Sequence, residues 1–170
     1  MAARRILQLG DPALRAVSRP CDDVASARPV LADLRDTLHE FRRTHGFGRG
    51  ISAVQIGEPV RVIYIELEGM PYNLINPVWE WQSGETFELW DDCFSFPGLM
   101  VRVRRAASVR LRYGEADGER RTIETSGAFS ELLQHEMDHL DGVLAVDRAI
   151  GRDGLCTREE WDRSLRRAAG

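Results

Sequence analysis

The residues best suited to do chemistry lie together in the segment Gln134-His135-Glu136-Met137-Asp138-His139-Leu140. In a helix, residues four apart lie one turn apart, so His135 and His139 can direct two imidazole nitrogens at one metal ion. Glu136 follows the first histidine directly and can reach a water at such an ion without being a ligand. This is the spacing of the H-E-x-x-H helix of zinc hydrolases.

Two histidines are too few for a catalytic metal centre, which usually has three protein ligands and one open position. Because H-E-x-x-H also occurs by chance, the pattern alone leaves metal binding and an ordinary pair of histidines equally open. The chain has three cysteines, Cys21, Cys93 and Cys156. An odd and sparse set does not indicate a disulfide framework, and in a reducing compartment a thiol with a special task more often binds metal or takes part in catalysis.

Two helices are predicted from apolar residues at helical spacing. The first covers residues 28–45 and is followed closely by Gly46, Gly48 and Gly50. The second covers residues 127–141 and carries the two histidines, with a glycine at position 142 where helices commonly end.

Strands are predicted at residues 60–67, at 72–75, twice within 99–113 around Ala106-Ala107, and at 121–125. A last helix at about 157–168 begins with Thr157 and Glu160, which have the spacing of a capping box. This order of elements indicates an α+β fold with mixed or antiparallel strands around the helix that carries the histidines. The length of 170 residues predicts a single domain over residues 1–170.

Composition favours a cytoplasmic protein. The chain is 43% hydrophobic and has a net charge of -4, so no strong positive field would attract nucleic acid or an anionic membrane. No stretch approaches the ~18–20 apolar residues of a membrane span, and the first ten residues lack the apolar run of a signal peptide. We therefore expect neither direct nucleic-acid binding nor a membrane partner.

Three segments resemble the motifs of the peptide deformylase family. Residues 134–140 match QHExxDHL, residues 48–55 (GRGISAVQ) resemble GxG(L/I)(A/S)AxQ, and residues 91–95 (DDCFS) resemble EGCLS. The three occur in the order found in the family, and the resemblance extends over about residues 5–150. On these motifs the chain is identified as a member of that family. The resemblance implies a peptide deformylase-like fold and hydrolytic removal of the N-formyl group from formyl-methionyl peptides, with release of formate.

The resemblance also implies roles for individual residues. Cys93 becomes the third ligand, so that Cys93, His135 and His139 hold one divalent metal ion per chain; Fe²⁺ is expected, and Zn²⁺, Ni²⁺ or Co²⁺ could occupy the same ligands. Glu136 moves protons, and the Gln55 side chain and the Phe94 backbone N–H stabilise the oxyanion. The residues expected at the substrate are Gly48, Arg49, Gly50, Ile51, Asp92, Glu131 and Leu132.

The expected substrate is an N-formyl peptide or nascent chain, which would permit a ribosome contact. The arginines of the last helix favour such a contact only weakly because three acidic residues lie among them.

The chain departs from the family at two positions that help form the apolar pocket for methionine, where it has Arg49 and Glu131. An uncompensated charge in such a pocket would be costly, so we expect the two side chains either to pair and change the pocket or to reach solvent at its rim. Asp91 and Asp92 replace the glutamate and glycine of the second motif. For Asp92 an exposed turn position is expected, or a pair with one of three nearby arginines, Arg102, Arg104 and Arg105.

Three other functions are kept open. The first is a specialised deformylase or amidase with an altered side-chain pocket that acts on another N-formyl amine. The second is a zinc peptidase, against which the Cys93 motif and Gln55 argue. The third is an inactive peptide-binding relative, against which the presence of Glu136 argues.

Overall fold

The structure, a computed structural model, describes residues 3–168 of the chain. Its α-helices are α1 (Val24–His45), α2 (Gly127–Leu140) and α3 (Arg158–Ala168). Its strands are β1 (Gly50–Ser52), β2 (Val62–Leu67), β3 (Met70–Gln82), β4 (Thr86–Asp91), β5 (Leu99–Ala106), β6 (Ser108–Gly114), β7 (Arg120–Ser126) and β8 (Leu155–Thr157). Short 3-10 helices lie at Pro12–Arg15, Ala53–Ile56 and Ala145–Arg148.

The strands form two antiparallel sheets. One has the order β1-β2-β3-β6-β7 and the other has the order β4-β5-β8. Helix α2 packs against strands of both sheets, among them β1 and β5. The α+β prediction with strands around the histidine-bearing helix is therefore confirmed.

Helix α1 begins four residues before its predicted start. The Asp23 carboxylate accepts a hydrogen bond from the Ser26 N–H at 2.7 Å, and this cap starts the helix at Val24. The prediction placed the start next to Pro29, but this proline lies within the helix. The predicted end is confirmed, because Gly46 has a left-handed conformation (φ 78°) and donates its N–H to the Arg42 carbonyl.

The strand predictions were correct where alternation was strong and incomplete elsewhere. Strands β5 and β6 meet at Ala107, and β7 lies beside β6 as expected. Strand β3 was predicted to end before Asn76-Pro77 but continues to Gln82. The pairing register shifts between Ile75 and Val78, where Asn76 has a positive φ of 50°. Such a bulge accommodates the extra residues without ending the strand. Strands β1, β4 and β8 were not predicted.

The last helix begins at Arg158, one residue later than predicted. The Thr157 hydroxyl accepts the Glu160 N–H at 3.3 Å, so Thr157 caps the helix as the sequence indicated. The side chains of Arg166 and Arg167 lie outside the part of the structure that is described. Within residues 3–168, no helix has both the length and the apolar character needed to span a bilayer.

Candidate metal centre

Helix α2 is buried on nearly all sides because it lies against both sheets, and it therefore brings polar side chains into the interior. Leu133 and Leu140 are fully buried, and His135, Glu136 and His139 expose 6%, 2% and 1% of their surface. Buried polar groups are costly unless they have partners. The contacts of this helix consequently reveal how the site is assembled.

Three potential metal ligands converge at this helix. The His139 Nε2 lies 3.2 Å from the Cys93 Sγ and 3.2 Å from the His135 Nε2. The ligand atoms of the three residues all lie within 4.8 Å of one another, and all three residues are buried. Cys93 reaches them from the loop that follows β4. A thiolate and two imidazoles form a donor set suited to a borderline-soft divalent ion, so these residues fit such an ion.

A buried ion-pair chain orients His135. Its Nδ1 lies 2.9 Å from the Asp91 Oδ2, and the same oxygen accepts a hydrogen bond from Arg105 at 3.0 Å. Arg105 also bonds to Asp138 at 2.5 Å. Burial acts to raise the pKa of Asp91, but His135 and Arg105 outweigh it and hold this pKa at about 2. Asp91 is therefore an anion that fixes the imidazole so that Nε2 faces Cys93 and His139.

The two histidines differ in their surroundings. Burial lowers the pKa of His135, yet the adjacent Asp91 carboxylate and Cys93 raise it well above its ordinary value. Burial and then the neighbouring His135 lower the pKa of His139 well below its ordinary value. The His139 Nδ1 is buried and has no hydrogen-bond partner among the described residues. His139 is thus held as a neutral imidazole, the form that binds metals.

Glu136 lies beside the three ligands, and its carboxylate contacts Ser52 and leaves no room for a side chain at Gly50. The Ser52 hydroxyl lies 2.5 Å from the Glu136 Oε2, and a Cβ added at Gly50 would lie 2.9 Å from the Oε1. Burial raises the pKa of Glu136. A raised pKa brings a carboxylate closer to the range in which it can both accept and release a proton. The sequence analysis missed Ser52, although a small polar residue within the first motif was the available signal.

Gln55 and Phe94 lie at the same centre. Gln55 lies in the 3-10 helix Ala53–Ile56, where its Oε1 accepts the Ser52 N–H at 2.9 Å. Its Nε2 therefore points to the Cys93 Sγ at 3.6 Å and the Ser95 Oγ at 3.3 Å. The Phe94 N–H follows the cysteine directly and has no acceptor among the described residues. An amide N–H₂ group and a backbone N–H without an acceptor among the described residues therefore lie at the same centre.

A cavity of about 300 Å³ opens beside these groups. Six of the seven residues expected at the substrate line it: Gly48, Arg49, Gly50, Asp92, Glu131 and Leu132. Ile51 is the exception. Its side chain is fully buried in the core and does not line the cavity, because successive residues of a strand point to opposite faces.

The two unusual charges of the cavity form an ion pair. The Arg49 Nη2 donates to both carboxylate oxygens of Glu131, at 2.9 and 3.2 Å, and the Glu131 side chain is only 4% exposed. The expectation of a pair between them therefore agrees with the structure, and Glu131 does not reach solvent.

The predicted environment of Asp92, an exposed turn or a pair with a nearby arginine, was wrong. It is half-buried and pairs with Arg158 of α3 at 2.7 Å. The three arginines considered for it are engaged elsewhere, Arg105 with Asp91 and the other two with Glu88. Sequence separation hid this contact, since the partners are 66 positions apart in the chain.

Comparisons with known proteins agree with this geometry. The sequence model of the polypeptide deformylase family matches residues 3–153. A peptide deformylase from Phenylobacterium zucineum is 38% identical over 153 residues, which cover 86% of this chain and 88% of that protein. One from Dictyoglomus thermophilum is 34% identical over 157 residues, covering 92% and 99%. The crystal structure of peptide deformylase from Thermotoga maritima superposes with a TM-score of 0.82 at 28% identity, covering 89% of this chain and 100% of that one.

Proposed function

The chain belongs to the peptide deformylase family, a family of metal-dependent hydrolases acting on the N-formyl amide of peptides, and we propose that the cluster of Cys93, His135 and His139 is its metal centre. One observation carries the proposal: three buried ligand atoms from two distant segments lie within 4.8 Å of one another, beside a buried glutamate. When bound there, a divalent ion lowers the pKa of water and polarises a carbonyl oxygen.

The roles of the remaining residues follow from their positions. Glu136 accepts the proton of the attacking water and passes it to the nitrogen that leaves as the free amino terminus, while the formyl carbon is released as formate. The Gln55 Nε2 and the Phe94 N–H donate hydrogen bonds to the oxygen of the tetrahedral intermediate. Ser52 positions the Glu136 carboxylate, and Asp91 orients His135.

We propose Fe²⁺ as the native ion, with Zn²⁺, Ni²⁺ and Co²⁺ able to occupy the same ligands. The mixed thiolate and imidazole set supports this range of divalent ions. The measurement is metal analysis of protein purified without oxygen, together with formate release after reconstitution with each ion. If another metal occupied most of the sites in protein purified without oxygen, the proposal of iron would be contradicted.

Two substitutions test the site. Glu136→Ala should retain the metal and lower kcat by about 10²–10⁴-fold in a formate-release assay, because a positioned acid–base group contributes that much. Cys93→Ala should lose the metal, whereas the control Cys156→Ala removes a thiol on β8 and should retain it. Unchanged activity in Glu136→Ala, or full metal content in Cys93→Ala, would contradict the proposed roles.

We propose that the enzyme is located in the cytoplasm. Three unpaired cysteines support a location in the reducing cytoplasm. A ribosome contact through α3 stays a prediction, and its charge is reduced because Arg158 pairs with Asp92 and Arg163 pairs with two glutamates. Cleavage of an internal peptide bond by the metal-loaded enzyme would favour the alternative of a zinc peptidase.

A further inference from the structure

The cavity that adjoins the metal ligands must receive the part of the substrate attached to the formyl nitrogen. The lining of this cavity includes Cys93, His135, Glu136 and Gln55, where the formyl group reacts. Arg49, Asp92, Glu131 and Leu132 line the same cavity. The side chain of the first residue of a formyl peptide therefore lies within reach of these charged groups.

The ion pair in the cavity presents complementary hydrogen-bonding groups side by side. Only one nitrogen of Arg49, Nη2, contacts the Glu131 carboxylate, while Nη1 donates to the Ala128 carbonyl at 3.2 Å. Arg49 is 41% exposed at its side chain and Glu131 only 4%. The carboxylate retains acceptor capacity beyond the arginine, and the guanidinium has further N–H groups, since it carries five.

A second acidic residue of the cavity lining is also paired with an arginine. Asp92 is paired with Arg158, whose guanidinium lies 4.2 Å above the ring centroid of Phe47, another residue of the lining. Each of these two acidic side chains of the cavity thus has its own arginine. The cavity is consequently polar without a large excess charge at this end.

An apolar side chain in this cavity would remove water from the ion pair and return no hydrogen bond. Desolvation of a polar group without a new partner is unfavourable. A primary amide, by contrast, offers an N–H₂ donor to the Glu131 carboxylate and a carbonyl acceptor to the Arg49 guanidinium. The spacing of donor and acceptor within one amide suits two adjacent groups of opposite polarity.

We propose that the Arg49–Glu131 pair makes this enzyme select formyl peptides whose first side chain carries an amide, such as glutamine, over formyl-methionyl peptides. This inference rests on the proposed function, since it concerns the substrate of the same site. It identifies Arg49 and Glu131 as specificity-determining residues. They contact the substrate side chain and not the reacting atoms.

The first test compares kcat/KM for three formyl tripeptides that differ only at the first residue, which is glutamine, methionine or norleucine. The metal-reconstituted enzyme should favour glutamine over methionine by about tenfold, because a hydrogen-bonding site rejects a substrate that lacks the matching group. The double variant Arg49→Leu/Glu131→Leu should reverse this order. A control double variant, Arg110→Gln/Glu124→Gln, removes an exposed pair between β6 and β7 and should keep the order of the unmodified enzyme.

The second test measures binding without turnover. Calorimetric titration of intact formyl peptides into the Glu136→Ala variant should give the same order of affinities, and adding Arg49→Leu/Glu131→Leu should reverse that order too. This readout separates binding of the side chain from the chemical step.

The possible results distinguish a failure of the proposed deformylase function from a failure of the proposed preference for glutamine. If metal-loaded enzyme released formate from none of the peptides, both the proposed function and the specificity would be refuted. If formate were released but methionine equalled or exceeded glutamine, the specificity alone would be overturned. A preference for glutamine that persisted in Arg49→Leu/Glu131→Leu would also overturn it, because the pair would not be its cause.

Discussion

The substitution Asp91→Asn tests how the metal centre is held in place. Asp91 is 3% exposed, and its Oδ2 interacts with both His135 and Arg105. Asparagine preserves the size and one acceptor but removes the charge. Breaking a buried ion pair costs ~3–5 kcal/mol. Since Arg105 retains Asp138 at 2.5 Å, we expect the lower end, ~3 kcal/mol, in the free energy of unfolding of the metal-free protein.

The same substitution should weaken metal binding by about 10–100-fold, because carboxylates that orient a ligating histidine contribute that much. The assays are urea unfolding of the metal-free protein and competition with a chelator for the bound ion. Asp92→Asn is the matched control. It alters the adjacent carboxylate, which is 33% exposed and pairs with Arg158. Such a pair contributes at most about 1 kcal/mol, and metal affinity should not change. Equal effects of the two substitutions on both quantities would refute the proposed role of Asp91.

Three further predictions concern the general base and the stability of the fold. Gly50→Ala should lower kcat at least about tenfold, because the new Cβ would displace the Glu136 Oε1 at 2.9 Å. It should also lower stability by about 1–3 kcal/mol, because the new Cβ would lie 3.1 Å from the Cγ1 of the buried Ile65; formate release and thermal unfolding measure the two effects. Ser52→Ala should lower kcat by about tenfold, since it removes a hydrogen bond to a charged group worth ~1.5 kcal/mol or more. Hydrogen bonding by His39, followed by that of its other partners, lowers the pKa of Glu66 to about 2 from 4.5. The stability that it contributes is therefore complete above pH ~4.5 and lost as the pH falls toward 2, so the difference in unfolding free energy between the wild type and Glu66→Gln should shrink over that window.

Controls for these predictions are available in the chain. Ser130→Ala removes a different buried hydroxyl, which lies on α2 and donates to the Ala106 carbonyl. This substitution should lower stability but, unlike Ser52→Ala, should not lower kcat. Glu68→Gln changes an exposed glutamate near Glu66 and serves as the control for removing a carboxylate from this part of the surface. A kcat unchanged by Gly50→Ala, or a Glu66→Gln difference that stays constant from pH 6 to 3, would contradict the respective mechanism.

Local spacing made the metal helix predictable from sequence. His135 and His139 are one turn apart whatever the rest of the chain does, and Cys93 could be assigned by its motif. The pairing of Arg49 with Glu131 was one of two outcomes that the sequence left open, because opposite charges around one pocket can either pair or reach solvent at its rim. These inferences depend on short-range geometry or on the cost of isolated charge.

The contacts that could not be predicted depend on long-range packing. Asp92 was expected near one of the arginines that follow it on the next strand, whereas its partner is Arg158 on α3. This contact depends on the pairing of β8 with β5, which places the start of α3 beside the loop that carries Cys93. Strand β3 was cut short in the prediction because Asn76-Pro77 normally marks a break, yet pairing with β6 carries the strand past it.

Two acidic residues near the metal ligands are each neutralised by an arginine, but the pairs differ in burial and therefore in consequence. Arg105, which bonds to Asp91, is 2% exposed at its side chain, whereas Arg49, which bonds to Glu131, is 41% exposed. A buried charge without its partner destabilises the fold strongly, so Arg105 must stay paired with Asp91 and its role is structural. The guanidinium of Arg49 keeps contact with solvent and can exchange a water for a substrate group at much lower cost. The same pairing of charges thus secures the metal ligands in one place and leaves, in the other, the polar surface on which we propose that substrates are distinguished.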